Sequence, residues 1–192
     1  MRNMRSTIVV VALAGIIGVW WLNRREKLSL DPPAVLAQVQ QLNQLTTVQY
    51  TIQKVVALTE DKEPVGSESI LLIVQASVQG GVDLARMQPD DVTVRSDGAV
   101  ELRLPMAKIL NLSIDEKQTK VWDRQKTWWT PWVPYSLDLE HRARLAGLDT
   151  VKQAALEMGI LGQAQRNAET SIRGLLGLAG VKSIRIMSKT AD

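Results

Sequence analysis

Between Ser6 and Leu22 the chain reads STIVVVALAGIIGVWWL, 17 residues without a charge and with no polar stripe at helical spacing. A helix of this length covers about 25 Å, the lower edge of what a hydrocarbon core of ~30 Å requires. Ile8, Val11, Leu13, Ile16, Ile17, Trp20, Trp21 and Leu22 are the expected residues of a membrane anchor. Trp20 and Trp21 suit the headgroup level, and Arg24, Arg25 and Lys27 can reach lipid phosphates. A cleaved leader is the competing reading. It lacks a small-x-small site in NRREKLSLDPP after Leu22, and Ala12-Leu13-Ala14 lies too early. The expectation is therefore a retained, single-pass anchor over residues 1–22, behaving as a signal anchor with its domain on the extracytoplasmic side.

Residues 23–33 read as a tether closed by Asp31-Pro32-Pro33, and residues 34–192 as one α+β domain. Val35, Leu36, Val39, Leu42 and Leu45 recur at helical spacing. The period then changes to two: Val48, Tyr50, Ile52, Val56 and Leu58 predict a half-buried strand, broken only at Lys54. TEDKEPVGSE predicts a turn. SILLIVQASV, apolar on both faces from Ile70 to Val74, predicts a central strand ending at Gly80-Gly81. Val92, Val94, Val100, Leu102 and Leu104 alternate around Ser96-Asp97-Gly98, the pattern of a hairpin with Arg95, Glu101 and Arg103 outward. MAKILNLSID after Pro105 fits helix or strand.

Two helices follow. Ala143, Ala146, Val151, Ala154, Ala155 and Met158 share one face, weakened at Gly147; Leu161, Ala164, Ala168, Ile172, Leu175 and Ala179 share the next, with Gly159 between. Gly180 reads as a cap and VKSIRIM as a last strand. The fold class is thus an N-terminal transmembrane helix, then an antiparallel or mixed sheet packed on one face by C-terminal helices.

Charge alters this picture only by location. Taking Arg2, Arg5, Arg24, Arg25, Lys27 and Glu26 out of 23 basic and 20 acidic residues leaves 18 against 19, so the basicity belongs to the anchor. A nucleic-acid partner would need clustered cations in the domain itself, and none is expected. With no cysteine, the chain has no disulfide framework, thiolate metal site or cysteine nucleophile.

VQASVQGGVDLARM, VELRLPMAKILNLSID, LGQAQRNAETSIRGLL and GVKSIRI together resemble the bacterial domain-of-unknown-function family numbered 4230. The resemblance runs from about Leu45 to Met187 and rests on Gly81-Val82-Asp83-Leu84, Leu104-Pro105 and Ala164 to Ala168. It implies a membrane-tethered α+β domain and carries no catalytic residues. Thr127 to Pro134, TWWTPWVP, departs from the family pattern.

No residue set singles out catalysis, and no cofactor or metal is expected. His141, the single histidine, stands in Asp138-Leu139-Glu140-His141-Arg142, where Asp138 and Glu140 suit a helix N-terminus. Zinc would need a second histidine or a cysteine. Asp83 after Gly80-Gly81 lacks the lysine and serine or threonine of a phosphate loop and reads as a turn cap. Trp128, Trp129 and Trp132, with Trp122 upstream, are too dense in a proline-bounded loop to enter one core. They suit a protein partner, the bilayer surface or a glycan, or they close the edge of the local core. The leading reading is a membrane-tethered, non-enzymatic binding or scaffolding domain of the bacterial envelope. The alternative is an envelope hydrolase or glycan-processing enzyme using Asp138, Glu140 and His141. Self-association as a homo-oligomer, through the helix from Leu161 to Ala179 or the anchor around Gly15, ranks third.

Overall fold

The computed structural model of the protein describes residues 32–189, apart from 64, 128–131 and 133. The anchor expected at Ile8, Val11, Leu13, Ile16, Ile17, Trp20, Trp21 and Leu22 lies outside the described residues. Among the described residues no helix is long and apolar enough to cross a membrane.

Helix α1 (Pro32–Gln40) opens on the two prolines expected to close the tether. Proline fits the first helical turn, whose N–H groups have no intrahelical acceptor in any case. Val35, Leu36 and Val39 are buried, whereas Leu42 falls beyond the helix and is exposed. Asn43, at φ 49°, turns the chain into β1, and its carbonyl accepts the N–H groups of Leu84 and Ala85 at 2.7 and 3.2 Å.

Strands β1 (Gln44–Asp61) and β2 (Ser67–Asp83) form a long antiparallel hairpin, with Gln44 opposite Asp83 and Asp61 opposite Ser67. The expected turn shrinks to the residues between Asp61 and Ser67, because Glu60 and Asp61 remain in the ladder. Nor does β2 stop at Gly80-Gly81. A Cβ on Gly81 would lie 2.2 Å from the Leu45 carbonyl oxygen, and one on Gly80 would crowd Val48, Ile160 and Ala164. The glycines let both neighbours approach closely. Both ladders shift register there, between Thr46 and Val48 on one side and between Gln79 and Gly80 on the other.

The segment expected to be helix or strand is strand β5 (Lys108–Ile114), and a strand the sequence did not announce, β6 (Lys120–Lys126), follows it. Both run antiparallel to β2, β5 along Ala76 to Gly81 and β6 along Glu68 to Ile73. They are one interrupted strand. Between them the chain loops out: Asp115 N–H donates to the Gln75 carbonyl at 2.8 Å, and Gln75 N–H donates to Thr119 Oγ1 at 3.1 Å, so β2 loses no partner.

The expected hairpin is present as β3 (Val92–Val94) and β4 (Val100–Leu104), with Gly98 at φ 80°. It does not join the large sheet. Two 3₁₀ turns, Leu84–Arg86 and Pro89–Asp91, redirect the chain, and β7 (Ile184–Ser188) pairs parallel to β4 in a second, three-stranded sheet. Helix α1 packs against β3.

Helices α2 (Leu139–Glu157) and α3 (Ile160–Leu178) lie on one face of the large sheet, separated by Gly159 at φ 76°. Even-numbered residues of β2 from Glu68 to Gly80 are all buried. Ile70, Leu72 and Val74 pack with Leu139 and Ala143, while Ala76 and Val78 pack with Val151, Ala155 and Ile160. Each fully buried Leu or Ile contributes about 2 kcal/mol. In α3 the stripe holds at Ala164, Ala168 and Ile172, but its ends rotate to Ile160 and Leu176, since 3.6 residues per turn displaces a strict 3-4 count. Met158 is exposed.

Gly147 is no weak point. It is buried against β2, and a Cβ there would lie 2.5 Å from Val74 Cγ2. Gly147→Ala gains helix propensity yet is expected to lower unfolding free energy by about 1–3 kcal/mol through overpacking. Urea titration checks this, and Val74→Ala in the same chain recovers part of the loss.

Candidate functional site

The even face of β2 carries one acid. Glu68 lies in register with Ile70, Leu72 and Val74 and is 0% exposed. A buried carboxylate is costly unless paired and hydrogen-bonded. Here Arg124 of β6 donates through Nε at 2.7 Å and pairs through Nη2 at 2.6 Å, Lys62 Nζ lies at 3.1 Å, and the Ser136 N–H donates at 2.8 Å. Burial pushes the Glu68 carboxyl up, but Ser136, Arg124 and Lys62 together outweigh it and hold it below its ordinary value.

Glu60, opposite Glu68 on β1, extends the cluster. It accepts from Lys62 at 3.2 Å and pairs with Arg142 of α2. Its hydrogen bond from Lys62 outweighs burial and lowers its carboxyl too. For Lys62, burial pulls the ammonium down, but Glu68 and Glu60 overcome that and raise it.

This cluster fastens a loop. At one end, Thr127 N–H donates to the Ser67 carbonyl at 3.0 Å and Ser67 N–H donates to Thr127 Oγ1 at 2.8 Å. At the other, Ser136 binds Glu68 through its N–H, and its carbonyl accepts from Arg124 Nη2 at 2.6 Å. Both ends of the segment from Thr127 to Ser136 thus close on two adjacent residues of β2. The Arg124 guanidinium also lies 5.0 Å from the Tyr135 ring centroid, and Lys126 Nζ lies 4.8 Å from it.

Of the tryptophans expected at the site, Trp132 is 74% exposed and Trp122, at the register shift in β6, is 66% exposed. Trp128 and Trp129 lie outside the described residues. Of the alternative constellation, Asp138 lies 3.6 Å from Arg142, Glu140 lies 3.0 Å from Arg144, and His141 is exposed on α2. Among the described residues no three His, Cys, Asp or Glu side chains converge to hold a metal ion. Asp83 occupies the cap position before Leu84 without a side-chain cap bond, its carboxylate meeting Lys108 Nζ at 2.8 Å and Arg86 Nε at 3.3 Å. The bond from Lys108 lowers its carboxyl despite burial.

Sequence reasoning missed Glu68, Lys62 and Arg124. The signal was the parity of β2: Glu68 continues the alternation of Ile70 and Leu72 and belongs to the buried face.

A two-sheet α+β domain with two helices on one face and a charge-clamped, tryptophan-bearing loop at one sheet end is the class that fold and site define. The chain belongs to the family of proteins of unknown function DUF4230, whose model matches residues 37–186. No curated protein and no solved structure matches it.

Glu68→Gln leaves Arg124 and Lys62 facing a neutral amide and is expected to cost about 3 kcal/mol in urea unfolding. Carboxyls lowered in the fold stabilise it above their unfolded-state value, and that stability is lost as pH falls through the folded value. Melting temperature should therefore drop as pH falls below the ordinary glutamate value of 4.5. The Glu68→Gln chain should show a shallower fall over the same range by scanning calorimetry.

Proposed function

We propose that this protein is a membrane-tethered, non-enzymatic binding domain of the bacterial envelope whose recognition surface is the loop bearing Trp128, Trp129 and Trp132. The observation that carries the reading is the double fastening of that loop to Ser67 and Glu68. A protein that fixes one end of a tryptophan-rich loop with hydrogen bonds and the other with a buried ionic cluster restricts its freedom before any partner arrives, which reduces the ordering cost of association. Trp132 and Trp122 stay largely in solvent, where an indole contributes large contact area at low conformational cost.

The 17-residue apolar segment beside its flanking arginines supports the tether. An 11-residue linker spans at most about 40 Å, so such a tether keeps the start of the domain near the bilayer. The partner class that fits is a protein of the same membrane, with the lipid surface as the competing contact.

Crosslinking in native membranes, followed by affinity capture of the tagged full-length chain, tests the reading. Replacement of Trp128, Trp129 and Trp132 by alanine should weaken capture of a discrete partner at least thirtyfold, roughly the loss of one hot-spot residue. Its melting temperature should stay near that of the parent. Equal capture by both chains overturns the proposal, and loss of lipid-vesicle binding in place of protein capture reassigns the loop to the membrane. Removing residues 1–22 should move the protein from the membrane to the soluble fraction.

A further inference from the structure

Strand β1 has one edge paired with β2; its other edge meets no strand among the described residues. Helix α3 occupies the start of that edge: Asn167 Nδ2 donates to the Thr47 carbonyl at 3.0 Å, and Thr47 Oγ1 donates to the Ala164 carbonyl at 2.8 Å. From Val48 to Thr59 the edge continues for twelve residues with no proline and one charge, Lys54. Long neutral edges invite pairing, and proteins that stay single usually interrupt them.

The two ends of this edge are complementary to each other. Lys54 is half-buried on the helix-facing side and makes no ion pair among the described residues. Glu60 stands six residues on with the same side-chain parity; its Oε1 accepts from Lys62 and its Oε2 pairs with Arg142, and 27% of its side chain stays exposed to a further cation. In an antiparallel pair of identical strands, directly opposed residues share a face. A single register then sets Lys54 against a carboxylate on its own face: Ala57 lies on the two-fold axis and Lys54 of each copy meets Glu60 of the other. The same register sets Val56 against Leu58, Val55 against Thr59 and Gln53 against Asp61. No like charges oppose.

We infer that the free edge of β1 is a homodimer interface, in which residues 53–61 of two copies pair antiparallel about Ala57 with reciprocal Lys54–Glu60 ion pairs. This would join two four-stranded sheets into one. Membrane tethering favours the contact by raising the local concentration of copies.

The full-length chain in detergent is expected to sediment with the mass of two copies. Because it holds no cysteine, single cysteines report the register in native membranes. Ala57→Cys should give a disulfide-linked dimer on oxidation, since directly opposed Cα atoms at about 4.5–5.5 Å lie within disulfide range. Val55→Cys and Thr59→Cys should each fail alone and crosslink when the two chains are coexpressed. Gln49→Cys, on the same side but outside the paired stretch, should not crosslink. Lys54→Glu sets like charges opposite twice and should lower the Ala57→Cys crosslink yield about tenfold. A single-copy mass overturns the inference. So does a dimer that crosslinks equally at Gln49, or one indifferent to Lys54→Glu, since either would place the contact elsewhere.

Discussion

The large sheet and the two helices packed on it are hung on the seventeen backbone positions of β2. That strand hydrogen-bonds to β1 along one edge and to β5 and then β6 along the other. Its even-numbered face supplies the surface on which α2 and α3 pack. A one-residue slip would exchange the faces, exposing Ile70, Leu72 and Val74 and burying Gln75 and Gln79. Register is therefore fixed by the hydrophobic face, and two close approaches sharpen it: Gly147 of α2 against Val74, and Gly81 against the Leu45 carbonyl. At both contacts the missing side chain is the structural feature.

The same face explains the ionic cluster. Near its start β2 keeps the alternation but substitutes Glu68 for an apolar side chain, at a point where hairpin tip, β6 and α2 meet. The carboxylate cannot hydrate there, so it organises what surrounds it. Lys62 comes from the hairpin turn, Arg124 from β6 and Ser136 from the loop, all within 3.1 Å. A hydrophobic residue would pack as well, but it would leave the loop's second end unfastened. The cluster thus converts burial, which penalises an isolated charge, into a constraint on where the tryptophan segment leaves and rejoins the sheet.

The β1–β2 hairpin, the β3–β4 hairpin and the two helices were legible because each has a strong period and marked ends. Ile52 to Leu58 alternate, Asp97-Gly98 turns, and Gly159 and Gly180 adopt positive φ where the helical stripes stop. Strand β6 was not legible. KVWDRQK lies at the sheet margin with most of its side chains exposed, so no face of it had to be apolar. The candidate loop was visible as a density of tryptophan. Its fastening was hidden, because the bonded pair Glu68 and Ser136 lie 68 residues apart in the chain.

Local sequence determined which segments become helix or strand and which face of each is apolar, since propensity and periodicity act within a few residues. It also determined the family and the apolar stretch before the domain. Tertiary structure decided how those segments were shared out. It divided the strands into two sheets, ran β7 parallel to β4, made β5 and β6 one interrupted partner of β2, and placed Glu68 between two cations and a backbone N–H from three separate elements. Those outcomes depend on long-range pairing and on desolvation, which arise only when distant residues are brought together in space.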